Sequence, residues 1–273
     1  MQAAFATVRR EQFLGPGPWL IIPARDEEHE RAPVFTAEDA RALYEDVLVS
    51  IDRARGLNNG QPSALAHWID ALDLKRGDRV FHAGCGVGYY TAILAELVGP
   101  EGSVVAAEID CRLAEQAKKN LADLPQASVE PVDAVIAHTG MCDAMLINAG
   151  LTHPRLEWLE RLKEGGRMVA PITTEPGEGG GNGIMMKVTR SGSSYGARIV
   201  SLVSIYPCSS ARDSELEPVV AKALRTRRLL RLRSVRVDRH AATGSCLVHG
   251  ATVCLSEESL APADPARASN QLS

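Results

Sequence analysis

Aromatic side chains are scarce, at 4% of the 273 residues, so whatever core this chain buries must be built from aliphatic ones. Long apolar runs are missing too. None approaches the roughly 18 consecutive residues a membrane-spanning helix needs. The first residues carry Arg9, Arg10 and Glu11 in an amphipathic pattern rather than the apolar stretch of a secretion signal. A soluble, cytoplasmic protein is expected. Net charge is only −4, with 23% charged residues, which excludes both a disordered polyelectrolyte and a chain coated with phosphate-binding cations. The six cysteines, Cys85, Cys111, Cys142, Cys208, Cys246 and Cys254, include no C-x-x-C pair and no His/Cys cluster at zinc-site spacing. They read as reduced thiols, mostly small buried hydrophobes, and no metal is expected.

What is present is a nucleotide-binding pattern. Val80-Phe81-His82-Ala83 is an apolar run, Gly84-Cys85-Gly86-Val87-Gly88 a turn with glycine at every second position, and Tyr89 a helix start. A second apolar run from Val104 ends in Glu108, about 20 residues past the last glycine, as in a βαβ unit that holds an adenosine ligand. Glycine lets such a turn bend sharply and bring backbone close to the ligand, and the following helix points its positive end there. Glu108 can accept from both ribose hydroxyls, and Asp133, ending the third strand, reaches the same crevice. A dinucleotide motif would need glycine at 89. This chain has Tyr89 and reads G-x-G-x-G, the spacing typical of S-adenosylmethionine (SAM) enzymes.

Periodicity predicts helices over 3–13, stopped by Gly15-Pro16-Gly17-Pro18; over 36–47, with Thr36 as N-cap; and over 62–74, with Pro62 in its first turn. An exposed polar loop is expected over 24–31. From there strand and helix alternate: strands near 79–83, 103–108, 128–132, 142–148 and 167–172, and helices near 89–98, 110–123 and 154–163. That order implies a parallel sheet covered on both faces. A glycine-rich turn at 177–183 precedes strands 184–190 and 197–206, which have no helix between them and form an antiparallel hairpin. A helix over 215–224 is followed by seven arginines between Arg225 and Arg239, read as a solvated strand face or as partners for acidic stretches. Strand 232–237 is expected to pair with 246–255.

Further segments carry a family resemblance: Val8-Arg9-Arg10-Glu11-Gln12-Phe13, Tyr44-Glu45-Asp46, Gly60-Gln61-Pro62, Gly77-Asp78-Arg79-Val80, the glycine turn, Leu94-Ala95-Glu96, Glu108-Ile109-Asp110, Cys142-Asp143-Ala144 and Leu162-Lys163-Glu164-Gly165-Gly166-Arg167. Over about residues 1–210 the chain resembles the protein-L-isoaspartate O-methyltransferases. The resemblance implies an α/β, Rossmann-like class I methyltransferase fold: a mostly parallel sheet flanked by helices, with an antiparallel hairpin at one edge. It implies a helical N-terminal segment and substrate-side cap over 1–60 and a SAM-binding domain over 61–210. Outside the resemblance, periodicity places a small C-terminal extension of helix and strand over 211–256, and a composition rich in Ala, Pro, Ser and Asp implies a disordered tail over 257–273. Gly84, Gly86 and Gly88 are then near the methionine part, Glu108 on the ribose and Asp133 near the adenine. The full cofactor-binding set is His82, Gly84, Cys85, Gly86, Gly88, Tyr89, Glu108, Ile109, Asp133, Ala134 and Asn148.

The family's Thr-Ile-Ser turn is Asn58-Asn59-Gly60 here, and the acid that opens its glycine motif is His82. The substrate-side candidates are Asn58, Asn59, Gly60 and Gln61, with Asn148, Thr152 and His153 after the fourth strand. Methyl transfer from a sulfonium mainly requires alignment and exclusion of water, and a carboxylate acceptor needs no general base. The expected acceptor is a carboxylate or other oxygen on a protein, a peptide or a small molecule. Two alternatives stay open: a methyltransferase that has drifted to a small-molecule or nucleic-acid acceptor, and a SAM-binding scaffold without catalysis. Nucleic acid is not the expected partner, and a dimer through the C-terminal extension is left open.

Overall fold

The computed structural model of the chain describes residues 1–23, 34–175 and 181–259. The loop expected at 24–31, residues 177–180 of the glycine-rich turn and the tail from 260 onward lie outside the described residues. The chain forms two compact units, residues 1–137 and 138–273. No helix among the described residues is long and apolar enough to cross a membrane.

The first unit opens with α1 (Gln2–Thr7), shorter than the expected helix over 3–13. Val8 and Arg9 are extended, and one 3₁₀ turn, Arg10–Gln12, follows. That break turns Arg10 inward, where it is 1% exposed. An antiparallel sheet of order β2-β1-β3-β4 comes next, made of β1 (Trp19–Pro23), β2 (Phe35–Ala37), β3 (Val47–Asp52) and β4 (Leu57–Asn58). It corrects the helix expected over 36–47: Thr36 lies in β2, and only Ala40–Tyr44 is helical, as a 3₁₀ turn capped by Asp39 accepting from the Arg41 N–H. Arg10 donates to the carbonyls of Leu43 (2.8 Å) and Val47 (3.0 Å); the first is an acceptor that a continuous helix over 36–47 would have used. Leu43 instead packs with Ile21 and Val49.

The expected alternation then appears. α2 (Pro62–Ala71) starts on its proline, β5 (Arg79–Ala83) leads through the glycine turn into α3 (Tyr89–Val98), and β6 (Ser103–Ala107), α4 (Cys111–Asn120) and β7 (Ala127–Glu130) follow. The three strands are parallel, in order β5-β6-β7. Asp110 caps α4 by accepting from the Leu113 N–H at 2.9 Å.

In the second unit β8 (Cys142–Ile147) runs parallel to β9 (Leu162–Thr173). Between them α5 spans only Leu156–Glu160, because β9 already begins at Leu162. β10 (Gly181–Ser191) and β11 (Ser194–Ile205) form the expected antiparallel hairpin. α6 (Glu217–Arg225) is docked by Arg212, which pairs bidentately with Glu217 and donates to Thr173 and Gly150. β12 (Ser234–Arg236) pairs with β14 (Cys254–Ser256), which pairs with β13 (Cys246–His249), so the single strand expected over 246–255 is itself a hairpin. Of the arginine run, Arg231 meets Glu257, and Arg236 meets Asp238 and Glu258.

Candidate active site

The glycine turn between β5 and α3 is held from three sides. Gly84, Gly86 and Gly88 have φ of +74°, +55° and +90°, the left-handed region that only glycine adopts freely. The N–H groups of Gly84 and Cys85 donate to the Ala107 carbonyl at the end of β6, at 2.9 and 3.3 Å. Asn120, closing α4, donates to the carbonyls of Val87 (2.8 Å) and Phe13 (3.2 Å). A Cβ on Gly88 would stand 3.0 Å from Leu121 and 3.3 Å from Ala117, so this glycine serves the approach of α3 to α4. At Gly86 a Cβ would meet only the Ile51 Cδ1, at an ordinary 3.6 Å.

Glu108 stands one residue past β6 and is 8% exposed. Its Oε2 accepts from the Gly86 N–H at 2.8 Å and its Oε1 from the Asp110 N–H at 3.1 Å. A carboxylate offers about four lone-pair positions, so each oxygen keeps one for a further donor. The neighbouring Ile109 is 67% exposed, an apolar side chain left uncovered beside a buried acid. That pairing suits a nucleoside, whose sugar hydroxyls seek the acid and whose base seeks an apolar face. Asp133 Oδ1 accepts from the Val135 N–H at 2.9 Å, and Ala134 is 8% exposed.

Three residues of the expected cofactor set have side chains spent on packing. His82 is fully buried in β5, with Nδ1 2.9 Å from the Thr91 hydroxyl, so its side chain is closed to a ligand. Burial lowers its pKa to about 3 and keeps it neutral. The unfolded chain protonates this histidine below about pH 6.5, the ordinary value, while the folded chain does not. Its contribution to stability is therefore complete above that pH and is lost as pH falls toward 3, by up to about 1.4 kcal/mol per pH unit. His82→Asn, which keeps a partner for Thr91, should flatten the pH dependence of the urea midpoint between pH 4 and 6.5 relative to the unaltered chain. An unchanged slope would show that His82 is not buried neutral. The ring of Tyr89 packs against Phe5, Phe13 and Tyr90, with the Arg10 guanidinium 5.9 Å from its centre, leaving its backbone as the part near the turn. Four of the few aromatics are thus gathered behind the glycine turn. Cys85 is buried, which pushes its thiol pKa up and leaves it inert.

The 58–61 turn is tightly bonded within the protein. Asn58 Oδ1 accepts from the Gly60 N–H at 2.9 Å, Asn59 is 8% exposed and accepts from Arg10 Nε at 3.0 Å, and Gln61 donates to Asp46 at 2.7 Å. Asn59 therefore serves as an anchor and not as a substrate-facing amide. Gly60 has φ +76°, and a Cβ there would stand 3.0 Å from Leu65, so the turn is built around glycine and a serine would strain it. Arg10, which binds the carbonyls of Leu43, Val47 and Gly60 and the amide of Asn59, organises this whole region. Sequence alone does not mark this role, since nothing in the segment Val8 to Phe13 reveals that its second arginine is buried.

In the second unit, Asn148 follows β8 directly, and His153 places Nδ1 3.0 Å from the hydroxyl of the buried Thr152. That hydroxyl also accepts from the Asp213 N–H at 3.1 Å. Burial lowers the His153 pKa and favours the neutral ring.

The family model for protein-L-isoaspartate(D-aspartate) O-methyltransferase matches residues 26–203. The protein-L-isoaspartate O-methyltransferase of Ignicoccus hospitalis is 34% identical over 153 residues, covering 53% of this chain and 70% of that protein. Its counterpart, protein-L-isoaspartate O-methyltransferase 1, in Archaeoglobus fulgidus is 35% identical over 144 residues, 51% of this chain and 66% of the relative. The match spans 60% and 43% of the relatives from Methanococcus aeolicus and Thermotoga maritima. A solved protein-L-isoaspartate O-methyltransferase aligns with a TM-score of 0.56 at 21% identity, over 87% of this chain and 67% of its own. One from Plasmodium falciparum, solved with S-adenosyl-L-homocysteine, gives 0.51 at 17%, over 60% and 81%. The chain therefore belongs to the protein-L-isoaspartate O-methyltransferase family, SAM-dependent methyltransferases with the Rossmann-like class I fold.

Proposed function

We propose that this chain methylates a carboxylate oxygen of a protein or peptide, with an isoaspartyl side chain as the acceptor to test first. The supporting observation is the buried, singly committed oxygens of Glu108 beside the glycine turn and the bare Ile109. In this reading Glu108 grips the ribose while bracing the turn, Ile109, Asp133 and Ala134 border the adenine, and Gly84 and Gly86 give the methionine part close access to backbone. SAM, when bound, supplies a methyl group on a sulfonium, already an excellent leaving group. The chain's own work is to align the acceptor and keep water out. The turn at Asn58, Asn59, Gly60 and Gln61 contains no acid or base, which fits an acceptor that needs no deprotonation. The six free cysteines fit a reducing, cytoplasmic setting.

The test is calorimetric titration with S-adenosylhomocysteine, followed by methyl transfer to an isoaspartyl peptide and to its aspartyl isomer. Turnover of the isoaspartyl peptide alone is expected. Glu108→Ala should weaken cofactor binding by about 1–3 kcal/mol through lost charge-assisted bonds. Binding without turnover would move the acceptor to another class or leave a non-catalytic binder, and no binding would overturn the enzyme reading.

A further inference from the structure

We infer that the end of the second unit is a zinc site formed by His240, Cys246, His249 and Cys254. One ligand atom from each lies within 4.8 Å of every other, the one such group among the described residues. The spacing H-x5-C-x2-H-x4-C matches no pair sought in the sequence, and folding is what assembles it. In the β13/β14 ladder His249 stands directly opposite Cys254. Cys246 and His249, three apart, would face opposite sides of a regular strand. The ladder shifts register between Cys246 and Val248, and that irregularity returns them to one side. His240 arrives from the segment after β12.

The surroundings are those of ligands held in place. His240 Nδ1 lies 2.9 Å from the Asp238 carbonyl and 3.3 Å from its carboxylate. This fixes the proton on Nδ1 and turns the Nε2 lone pair toward Cys246 Sγ, 3.5 Å away. The Cys246 sulfur accepts from the Thr243 N–H at 3.3 Å. The rings of His240 and His249 meet edge to face with centres 4.8 Å apart. His249 Nδ1 is buried without a hydrogen-bond partner, a cost that a metal bond would remove. Two thiols and two imidazoles favour zinc, with metal–sulfur and metal–nitrogen bonds of about 2.3 and 2.0–2.1 Å in a closed tetrahedron. Such a site is structural. β12, β13 and β14 contain three, four and three residues, too little on their own to hold a fold, and a bound ion would staple them.

The test uses the full chain, expressed with zinc and purified without chelator, with metal content read by mass spectrometry. About one zinc per chain is expected, and replacement by Co²⁺ should give a thiolate charge-transfer band with tetrahedral d–d absorption. Cys254→Ser and Cys246→Ser should each lower retained zinc by at least about tenfold. Because loss of a ligand could also unfold the β12–β14 region, a second measurement uses the unaltered chain. Adding zinc to the metal-stripped chain should slow alkylation of Cys246 and Cys254, mapped by peptide mass, by about tenfold while leaving exposed Cys111 unaffected. No retained zinc together with zinc-independent alkylation would overturn the proposal, as would a Cys246–Cys254 disulfide in the chain isolated under alkylating conditions.

Discussion

Gly86→Val is expected to abolish binding of S-adenosylhomocysteine while the protein stays folded. The φ of +55° at this position costs a non-glycine residue about 1–2 kcal/mol, somewhat more for a β-branched one. The new Cβ otherwise meets only Ile51, at 3.6 Å. A melting temperature lowered by roughly 2–8 °C should follow. In the proposed binding mode the side chain would stand where the cofactor's methionine part approaches the turn, so affinity should fall by at least about 100-fold, or about 2.7 kcal/mol. Gly88→Val supplies the contrast. There φ is +90° and the Cβ lies 3.0 Å from Leu121, so overpacking between α3 and α4 should destabilise the fold itself by about 1–3 kcal/mol beyond the backbone strain. Calorimetric titration and thermal unfolding of both variants separate the two roles. Retained affinity in Gly86→Val would mean that the ligand sits elsewhere.

The contrast between two glycines two residues apart marks where sequence reading succeeds and stops. β5, α3 and β6 matched expectation within a residue because an apolar run, a glycine turn and a second apolar run are local signals, each produced by the residues that carry it. Which glycine has room for a side chain and which lies against Leu121 is decided by α4, some thirty residues on, and cannot be read from the motif. The failure over 36–47 has the same cause at longer range. Ala40 to Tyr44 favour helix locally, but the guanidinium of Arg10 takes the Leu43 carbonyl that a longer helix would need and also holds the Val47 carbonyl, and Val47–Asp52 becomes a strand. His82 was placed in the cofactor set by its position in a motif, whereas its burial against Thr91 depends on tertiary packing. The His/Cys group around β13 was invisible for another reason: it depends on a register irregularity, and no periodic pattern records a one-residue slip.

Arg10→Met should strongly destabilise the N-terminal end of the first unit, by about 3–5 kcal/mol, through the acceptors it leaves unpaired. The guanidinium is 1% exposed and its four recorded acceptors are neutral: Asn59 Oδ1 at 3.0 Å and the carbonyls of Leu43, Val47 and Gly60 at 2.8, 3.0 and 2.9 Å. Burial lowers its pKa, yet from a starting value so high that it stays charged. Methionine fills the channel of the aliphatic stem but leaves four acceptors without their donor. Each hydrogen bond to a charged group contributes about 1.5–3 kcal/mol, and the losses overlap because one side chain serves them all. Gly60 keeps one donor, the Tyr90 hydroxyl at 3.2 Å, so the 58–61 turn should loosen rather than unravel. Arg10→Lys retains the charge but cannot span four acceptors with a rigid fork, and should recover less than half of the loss. Urea unfolding gives the magnitude. Hydrogen exchange should show β3 and the 58–61 turn opening before β5 and β6. If Arg10→Met unfolds at the same urea concentration as the unaltered chain, the buried guanidinium is not what holds the N-terminal sheet to the turn.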